Sequence, residues 1–538
     1  MSNLKQNNRH LTQIHNKTFK IFGPPGTGKT TRLIKIVEKH LRLGVQPFEM
    51  VYVSFTNKAI DEAVDRVLKK FKQYDEDDFN NFRTIHSFCK KELSSTPVLD
   101  PRVDMLKFHT DWGTISANFS EEDANQKVFN NWSLRVYDKA RNMLVDPIQL
   151  YKAEPIKKVR LQQFTDIIRN YIKFKQDNKM DFTDMVEKYV EEVNPQSYKV
   201  FIVDEAQDLT PLQWKFVDKV ALQAKRVYLA GDDDQAIYEW NGADADFFIH
   251  FPGKVKILKQ SRRIPERVHY FSQLLMLPAK GFRQEKEFNA RAEEGSIQTY
   301  TSLKHVDFDQ PGTFMVLARI RTVKDEIEQD LYDRGVYFQD VQGRKSFKIE
   351  QWQAIKAWDH LMNGGSITKE EACIMYHYIQ NIDHGFRSSD SVKWSFAHPN
   401  QPFNYDDLTV RAGLREPKGH WIDAFKIRFK DKEKQYLIRL MENKINLNES
   451  AKITVDTIHA VKGGEADHVV ILSKSNWPSH YENKNLQQKI KELRVWYTGI
   501  TRAKKALHLI NTDHKYHFPL GKFFNNYKAH YDKQRRLS

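Results

Sequence analysis

A chain of 538 residues exceeds what one hydrophobic core fills, so several domains are expected. Its 40% hydrophobic and 12% aromatic content is enough for packed cores, while two cysteines, Cys89 and Cys373, far apart in sequence, exclude a disulfide framework and a zinc module. A formal net charge of +15 favours a polyanionic partner modestly; no apolar run is long enough for a bilayer, residues 1–13 lack the apolar core of a secretory signal, and a reducing, cytoplasmic setting is expected.

The first predicted element organises the rest. A short apolar strand, residues 19–22, feeds the loop Gly23, Pro24, Pro25, Gly26, Thr27, Gly28, Lys29, Thr30, Thr31, Arg32, which reads G-x-x-x-x-G-K-[ST] from Gly23 to Thr30. Backbone amides that all turn inward on phosphate oxygens need a chain that curls tightly, and only glycine allows this. Residues 30–41 carry apolar side chains at Leu33, Ile34, Ile36, Val37 and Leu41, a helical period whose positive end faces the phosphates. In such a loop Lys29 reaches the β- and γ-phosphates and the Thr30 hydroxyl holds Mg²⁺. This is a nucleotide site.

Residues 50–56, MVYVSFT, read as a buried parallel strand, and Asn57 as the cap of a helix with Ile60, Ala63, Val64, Val67, Leu68 and Phe71 on its apolar face. That order places residues 54–58 on the carboxyl edge of a sheet, where open α/β folds bind ligands. The cluster TIHSFC, residues 84–89, is polar and aromatic, or else a buried helix start. Residues 90–179 look helical and insert into the sheet domain, with amphipathic helices over 128–144 and 159–174. Strand signals return at 198–203 and run straight into Asp204-Glu205-Ala206-Gln207-Asp208. Behind a phosphate loop, Asp204 is the partner of Thr30 for Mg²⁺ and Glu205 the candidate base for the attacking water; the bland alternative is a helix N-cap. The next strand, 227–230, ends in GDDDQAIYEWNGAD, placing Gln235 as a γ-phosphate contact beside the stacking candidates Tyr238 and Trp240.

These blocks resemble the superfamily 1 DNA helicases of the UvrD, Rep and PcrA branch, and seven of them occur in that family's order between Gly23 and Arg502. The resemblance implies that Phe55, Thr56 and Asn57 of SFTNKA, and Thr84 and His86 of TIHSFC, contact single-stranded DNA. It also implies Gln235 at the γ-phosphate and Tyr238 and Trp240 on the bases. Gln260-Ser261-Arg262-Arg263 is similar to the family's Asn-Tyr-Arg block, with Arg263 as one arginine finger; Arg262 stands where a tyrosine stacks on adenine and could stack or form a salt bridge. In TIHAVKGGE, Thr457 and His459 approach DNA and Glu465 the ribose, with Gly464 and Ala466 in place of larger apolar residues. In ELRVWYTGITRA, Glu492, Arg494, Tyr497 and Arg502 match the last block, Arg502 being the second finger. For the glutamine that reads adenine, Gln6 and Gln13 are the candidates.

Apolar runs at 255–258, 313–318, 468–472 and 506–510 suggest a second parallel sheet, residues 390–407 a loop, and the tail 522–536 a solvated basic end. The expected architecture is α/β: two RecA-like parallel-sheet domains of the P-loop NTPase kind, each interrupted by a mainly helical insertion. The boundaries read as 1–89 and 180–254 for the first domain and 90–179 for its insertion; 255–348 and 452–538 form the second, and 349–451 a reduced, polar insertion. The expected activity is ATP- and Mg²⁺-dependent translocation along single-stranded DNA, 3′ to 5′, with duplex unwinding; the alternative is a nucleotide-switched factor that remodels nucleoprotein. Expected partners are single-stranded DNA, its junctions with duplex, and single-strand-binding, repair or replication proteins, with no membrane.

Overall fold

The structure is a computed structural model and describes residues 14–93, 97–99, 104, 108, 131–154, 157–175, 179–382, 402–476, 479–482 and 484–537. Gln6 and Gln13, residues 128–130 of the first insertion helix and 390–401 of the expected loop lie outside them. Among the described residues no helix is long and apolar enough to cross a membrane. By contacts the chain divides into two units, one comprising 1–296, 481–505 and 523–538 and the other 297–480 and 506–522.

The first unit is built on a six-stranded sheet ordered β3-β2-β4-β5-β1-β6, from β1 Thr18–Phe22, β2 Met50–Ser54, β3 Phe82–Thr84, β4 Tyr198–Val203, β5 Ala224–Gly231 and β6 Lys254–Ile257. All five of its strand pairings are parallel. Central strands such as β2 and β4 are continuous apolar runs because helices cover both faces. One face packs Ile21, Leu33, Tyr52 and Ile202, the other Phe22, Val53, Phe201 and Phe216. The alternation along β1 and β2 therefore sorts neighbours into separate cores.

Several boundaries differ from the sequence reading. The strand expected at 255–258 forms, but it hydrogen-bonds to β1 in the first sheet (Phe19 opposite Lys254) and not in a second one. Residues 255–295, 481–502 and 523–537 accordingly group with the first sheet's unit, whereas the sequence assigned them to the later domain. Strands β7, Gln260–Pro265, and β8, Asn289–Arg291, pair parallel in a separate two-stranded sheet of this unit. The tail is no solvated end: the helix Leu520–Leu537 buries Tyr527 against Phe271, with Tyr531 beside Tyr270. Its aromatic positions, four residues apart, make one sticky face.

Two helices of the first insertion, Trp132–Met143 and Leu161–Lys175, are pinned by partly buried charge to the helix Phe182–Glu192 of the sheet domain. Arg141 reaches Asp181 at 2.8 Å, Asp184 at 2.5 Å and Glu187 at 2.6 Å, and Lys175 reaches Asp181 at 2.7 Å. These cations hold the Asp181 carboxyl far below the usual range in spite of burial. Removing one partner of such a network leaves an uncompensated charge and costs about 3–5 kcal/mol.

The second unit carries a five-stranded sheet ordered β11-β10-β12-β13-β9, from β9 Ser296–Tyr300, β10 Phe314–Ala318, β11 Ile453–Thr457, β12 Ala466–Leu472 and β13 Ala503–Ile510. Strand β10 runs parallel to both β11 and β12. The stretch 349–451 is less polar than its sequence suggested. It has its own core of Trp358, Trp421, Phe425, Tyr436 and Leu437, and 405–407, read as loop, begins the helix Tyr405–Arg411.

Within this sheet His468 and His508 are buried together, ring nitrogens 3.2 Å apart. The His468 Nε2 faces the Pro311 carbonyl at 3.2 Å, so its proton sits there and its Nδ1 accepts from His508. Burial first, then His468, pushes His508 down to about 4. The unfolded chain binds that proton near 6.5, so stability is complete above that pH and declines as pH falls from 6.5 towards 4. The expected slope is at most about 1.4 kcal/mol per pH unit. Thermal melts between pH 7.5 and 4.5 test this: His508→Phe, which keeps a ring stacked on Tyr300, should flatten the profile, and an unchanged profile excludes the pair as its source.

Candidate functional site

The phosphate loop is held in the shape its glycines predict. Gly26 and Gly28 adopt φ of 73° and 81°, in the left-handed region, and Gly28 caps the helix Lys29–Arg42. No acidic residue lies in the first turn of that helix, while Lys39, His40 and Arg42 close its far end. Strand β7 lies against the loop: the Ser261 hydroxyl donates to the Pro25 carbonyl at 2.8 Å and the Arg262 amide to that of Gly26 at 2.9 Å. A Cβ on Gly26 would come within 2.5 Å of the Arg263 Cβ, so the glycine is required by approach as well as by φ. Lys29 folds back on the loop, its Nζ donating to the Gly23 carbonyl at 3.1 Å. The side chain of Arg262 is exposed.

Opposite the loop stands the acidic pair. Asp204, at the end of β4, accepts from the Thr30 hydroxyl at 3.3 Å and from Tyr52 at 3.1 Å. Burial, then the charge of Glu205, push its carboxyl up to about 6, partly offset by Lys29. A buried carboxylate beside a second one and within reach of the Thr30 hydroxyl is a set of hard oxygen donors that fits a divalent cation. Glu205 sits at φ 53°, left-handed and uncommon for a side chain of that size, and Gln207 donates to its carboxylate at 2.6 Å.

The same unit holds the γ-side residues. Gln235 donates to Asp232 at 2.6 Å and accepts from the Arg502 guanidinium at 2.5 Å, across 267 positions of sequence. Arg502 is 1% exposed, and burial followed by repulsion from Arg263 lowers its pKa. Two guanidiniums and Lys29 thus converge where Glu205 and Gln235 also point, a charge arrangement that an anion would relieve.

The residues assigned to nucleic acid fall into two groups. In the first unit Phe55 stacks on Tyr238, ring centres 5.0 Å apart and 16° from coplanar, and Tyr238 meets Trp240 edge-on at 6.4 Å. Trp240 is 63% exposed and Phe55 40%, far more than core packing leaves. Thr56, not Asn57, caps the helix Asn57–Leu68, accepting from the Ala59 amide at 3.3 Å. Thr84 caps the helix Ile85–Glu92, and His86 packs on Phe182. Phe55, His86, Tyr137, Phe182, Tyr238 and Trp240 line one cavity of about 760 Å³ between the sheet edge and the first insertion. In the second unit Thr457, His459 and Glu465 share the connection from β11 to β12, with Glu465 exposed.

Sequence reasoning missed four contributors. Tyr52 is a lone hydroxyl inside the apolar strand β2, and Ser261, though within the QSRR block, carried no signal that it would reach the loop. Arg283 and Lys286 lie in the run RQEKE, which reads as a solvated turn, yet Lys286 is fully buried among Asp232 at 2.8 Å, Asp233 and Asp234 at 2.9 Å. Only the triple aspartate of GDDDQ, which needs a counter-charge when buried, signalled such a partner.

Residues 4–256 match the UvrD/REP helicase N-terminal domain and 422–514 the UvrD-like helicase C-terminal domain. A probable DNA helicase II homolog of Mycoplasma capricolum subsp. capricolum is 23% identical, over 94% of this chain and 84% of that protein. A second protein of that description, from Mycoplasma pneumoniae, is 21% identical over 91% and 81%. A solved complex of arterivirus nonstructural protein 10 (helicase) with DNA covers 97% of this chain and 65% of that one at 10% identity, but a TM-score of 0.33 is too low to argue from. The two matched domains follow one another in the family's own order and together span more than half of the residues, so the chain belongs to the UvrD/REP helicase family and is an ATP-dependent helicase of the UvrD-like type.

Proposed function

We propose that this protein is a DNA translocase and helicase that hydrolyses ATP on the loop 23–32, moves 3′ to 5′ along single-stranded DNA and separates duplex ahead of it through closure of two RecA-like domains. The observation that supports this reading is the Arg502–Gln235 contact at 2.5 Å, which would set a finger guanidinium beside a γ-phosphate sensor. In this reading the loop amides, Lys29, Thr31 and Arg32 bind the triphosphate, Arg262 lies against the nucleoside, and Glu205 orients water; for Glu465 the family resemblance implies a ribose contact. Arg263, Arg502 and Gln235 answer the charge that develops on the γ-phosphate. Thr30 and Asp204 would hold Mg²⁺, which when bound supplies charge neutralisation of the phosphates.

Phe55, Tyr238 and Trp240 offer a stacking platform of about 1–3 kcal/mol per base without sequence preference, joined by His86, Thr84, Thr56 and Asn57; Thr457 and His459 are the DNA contacts proposed for the second unit. Binding to phosphates by a chain this basic should weaken steeply with salt.

Duplexes with a 3′ or a 5′ single-stranded tail test the function. Strand separation on the 3′-tailed substrate alone is expected; separation only from the 5′ tail removes the polarity, and rapid turnover with no separation on either leaves a remodelling ATPase. Lys29→Ala should lower ATP turnover by about 10²–10³-fold, the cost of one phosphate-clamping group, with single-strand binding retained. Turnover at the wild-type rate would remove the loop from the chemistry.

A further inference from the structure

Trp240 stands on a short turn, Glu239–Asn241, and the residue before it is gripped from behind. Glu239 accepts from Lys491 at 2.6 Å on one oxygen and from Arg494 at 2.9 Å on the other. Both cations belong to the helix Leu486–Ile500, whose next turn of chain carries Arg502. Arg494 is 6% exposed, and its second terminal nitrogen donates to the Phe282 carbonyl at 3.1 Å.

From Phe282 the chain enters the run that buries Lys286. Arg283 pairs with Asp234, the Gln284 amide donates to Asp233 at 2.9 Å, and Lys286 holds Asp232 at 2.8 Å. Asp232 in turn orients Gln235, and Gln235 receives Arg502. The contacts therefore close a ring: Glu239, Arg494, the 282–286 loop, Asp232, Gln235, Arg502 and back along the helix to Arg494. On its other side the Trp240 turn has little room, because a Cβ on Gly242 would lie 2.9 Å from Met143 of the insertion.

We propose that Arg494 is a positioning residue that ties the Trp240 turn to the Gln235–Arg502 pair, so that occupancy at the phosphates and the grip of Trp240 on a base change together. The inference rests on the nucleotide and base-stacking roles proposed above. A guanidinium suits the task because its planar fork holds a carboxylate and a carbonyl at once, whereas a lysine ammonium in that place gives up one of them. Burial separates this pair from an ordinary surface ion pair, which water screens and which contributes little.

The test is steady-state ATP hydrolysis by the full chain with and without saturating oligo(dT), alongside thermal melts. Glu239→Gln and Arg494→Lys should each reduce the DNA-induced rise in kcat at least fivefold, leaving the DNA-free kcat and the KM for ATP within twofold of wild type. Combining Glu239→Gln with Arg494→Lys should lower stimulation no further than the poorer single variant, because both cut the same link, which two independent structural defects would not produce. Undiminished stimulation in the single variants, or a combined variant that melts normally and multiplies the two losses, overturns the proposal. Should the combined variant not fold, Glu239→Gln decides alone, with reduced stimulation at an intact DNA-free rate in favour and full stimulation against. A wild-type enzyme that DNA does not stimulate would instead refute the helicase reading itself, and the proposal with it.

Discussion

Alanine at position 502 should lower DNA-stimulated ATP hydrolysis by about 10³–10⁵-fold, the range that arginine fingers supply in phosphoryl transfer. The side chain is not free to be replaced by solvent: Nε donates to the Thr498 carbonyl at 2.9 Å and a terminal nitrogen to Gln235 at 2.5 Å. Those contacts aim the guanidinium before any phosphate arrives, so little reorganisation is left for the chemical step. Burial, and then crowding with Arg263, depress its pKa, and that crowding is relieved as negative charge builds on the γ-phosphate. Arg502→Lys keeps one charge but not both anchors, and should recover only a small part of the loss. Single-turnover hydrolysis, with nucleotide binding measured separately, is the check. A kcat within tenfold of wild type for Arg502→Ala would show that the guanidinium does not face the reacting phosphate.

Glu205→Gln should lower kcat by about 10²–10⁴-fold, the contribution of a positioned base, while nucleotide affinity stays close to wild type. The substitution is nearly isosteric, so the left-handed backbone at φ 53° and the neighbouring Asp204 are preserved. What changes is the group facing water, from a carboxylate that accepts to an amide, and the Gln207 amide that donates to Glu205 at 2.6 Å keeps an oxygen to bond to. Because hydrolysis stalls after binding, this variant should hold single-stranded DNA as the ATP-bound enzyme does. Nucleotide affinity from titration of a fluorescent ATP analogue, set beside the turnover rate, checks the separation. Loss of binding in step with loss of turnover would assign Glu205 to structure rather than to catalysis.

The comparison of sequence with structure divides along the range of the forces involved. The phosphate loop could be read directly because its chemistry is local: consecutive amides, glycines at positive φ and one lysine make the cradle from ten adjacent residues. Strands β2 and β4 were equally legible, since burial on both faces demands an unbroken apolar run, as was the apolar end of β5, 227–230; Asp204 and Glu205 follow from where β4 must end. Composition and short-range pattern by themselves determined an α/β nucleotide-binding chain with helical insertions.

What needed the tertiary structure was every assignment that depends on a partner distant in sequence. A charged run such as 283–287 is solvated unless something opposes it, and only the fold brings Asp232, Asp233 and Asp234 to Lys286 and so buries the lysine as an ion. The four residues of β6 carry too little pattern to choose between sheets; hydrogen bonds to β1 made the choice. Tyr52 looks like any strand aromatic until its hydroxyl reaches Asp204. The tail helix became part of a core through Phe271, and Arg502 became a neighbour of Gln235 across 267 positions. Periodicity specifies which face of an element is buried, because that depends on its own spacing, but it does not specify what the buried face meets, which is decided by packing the whole chain at once.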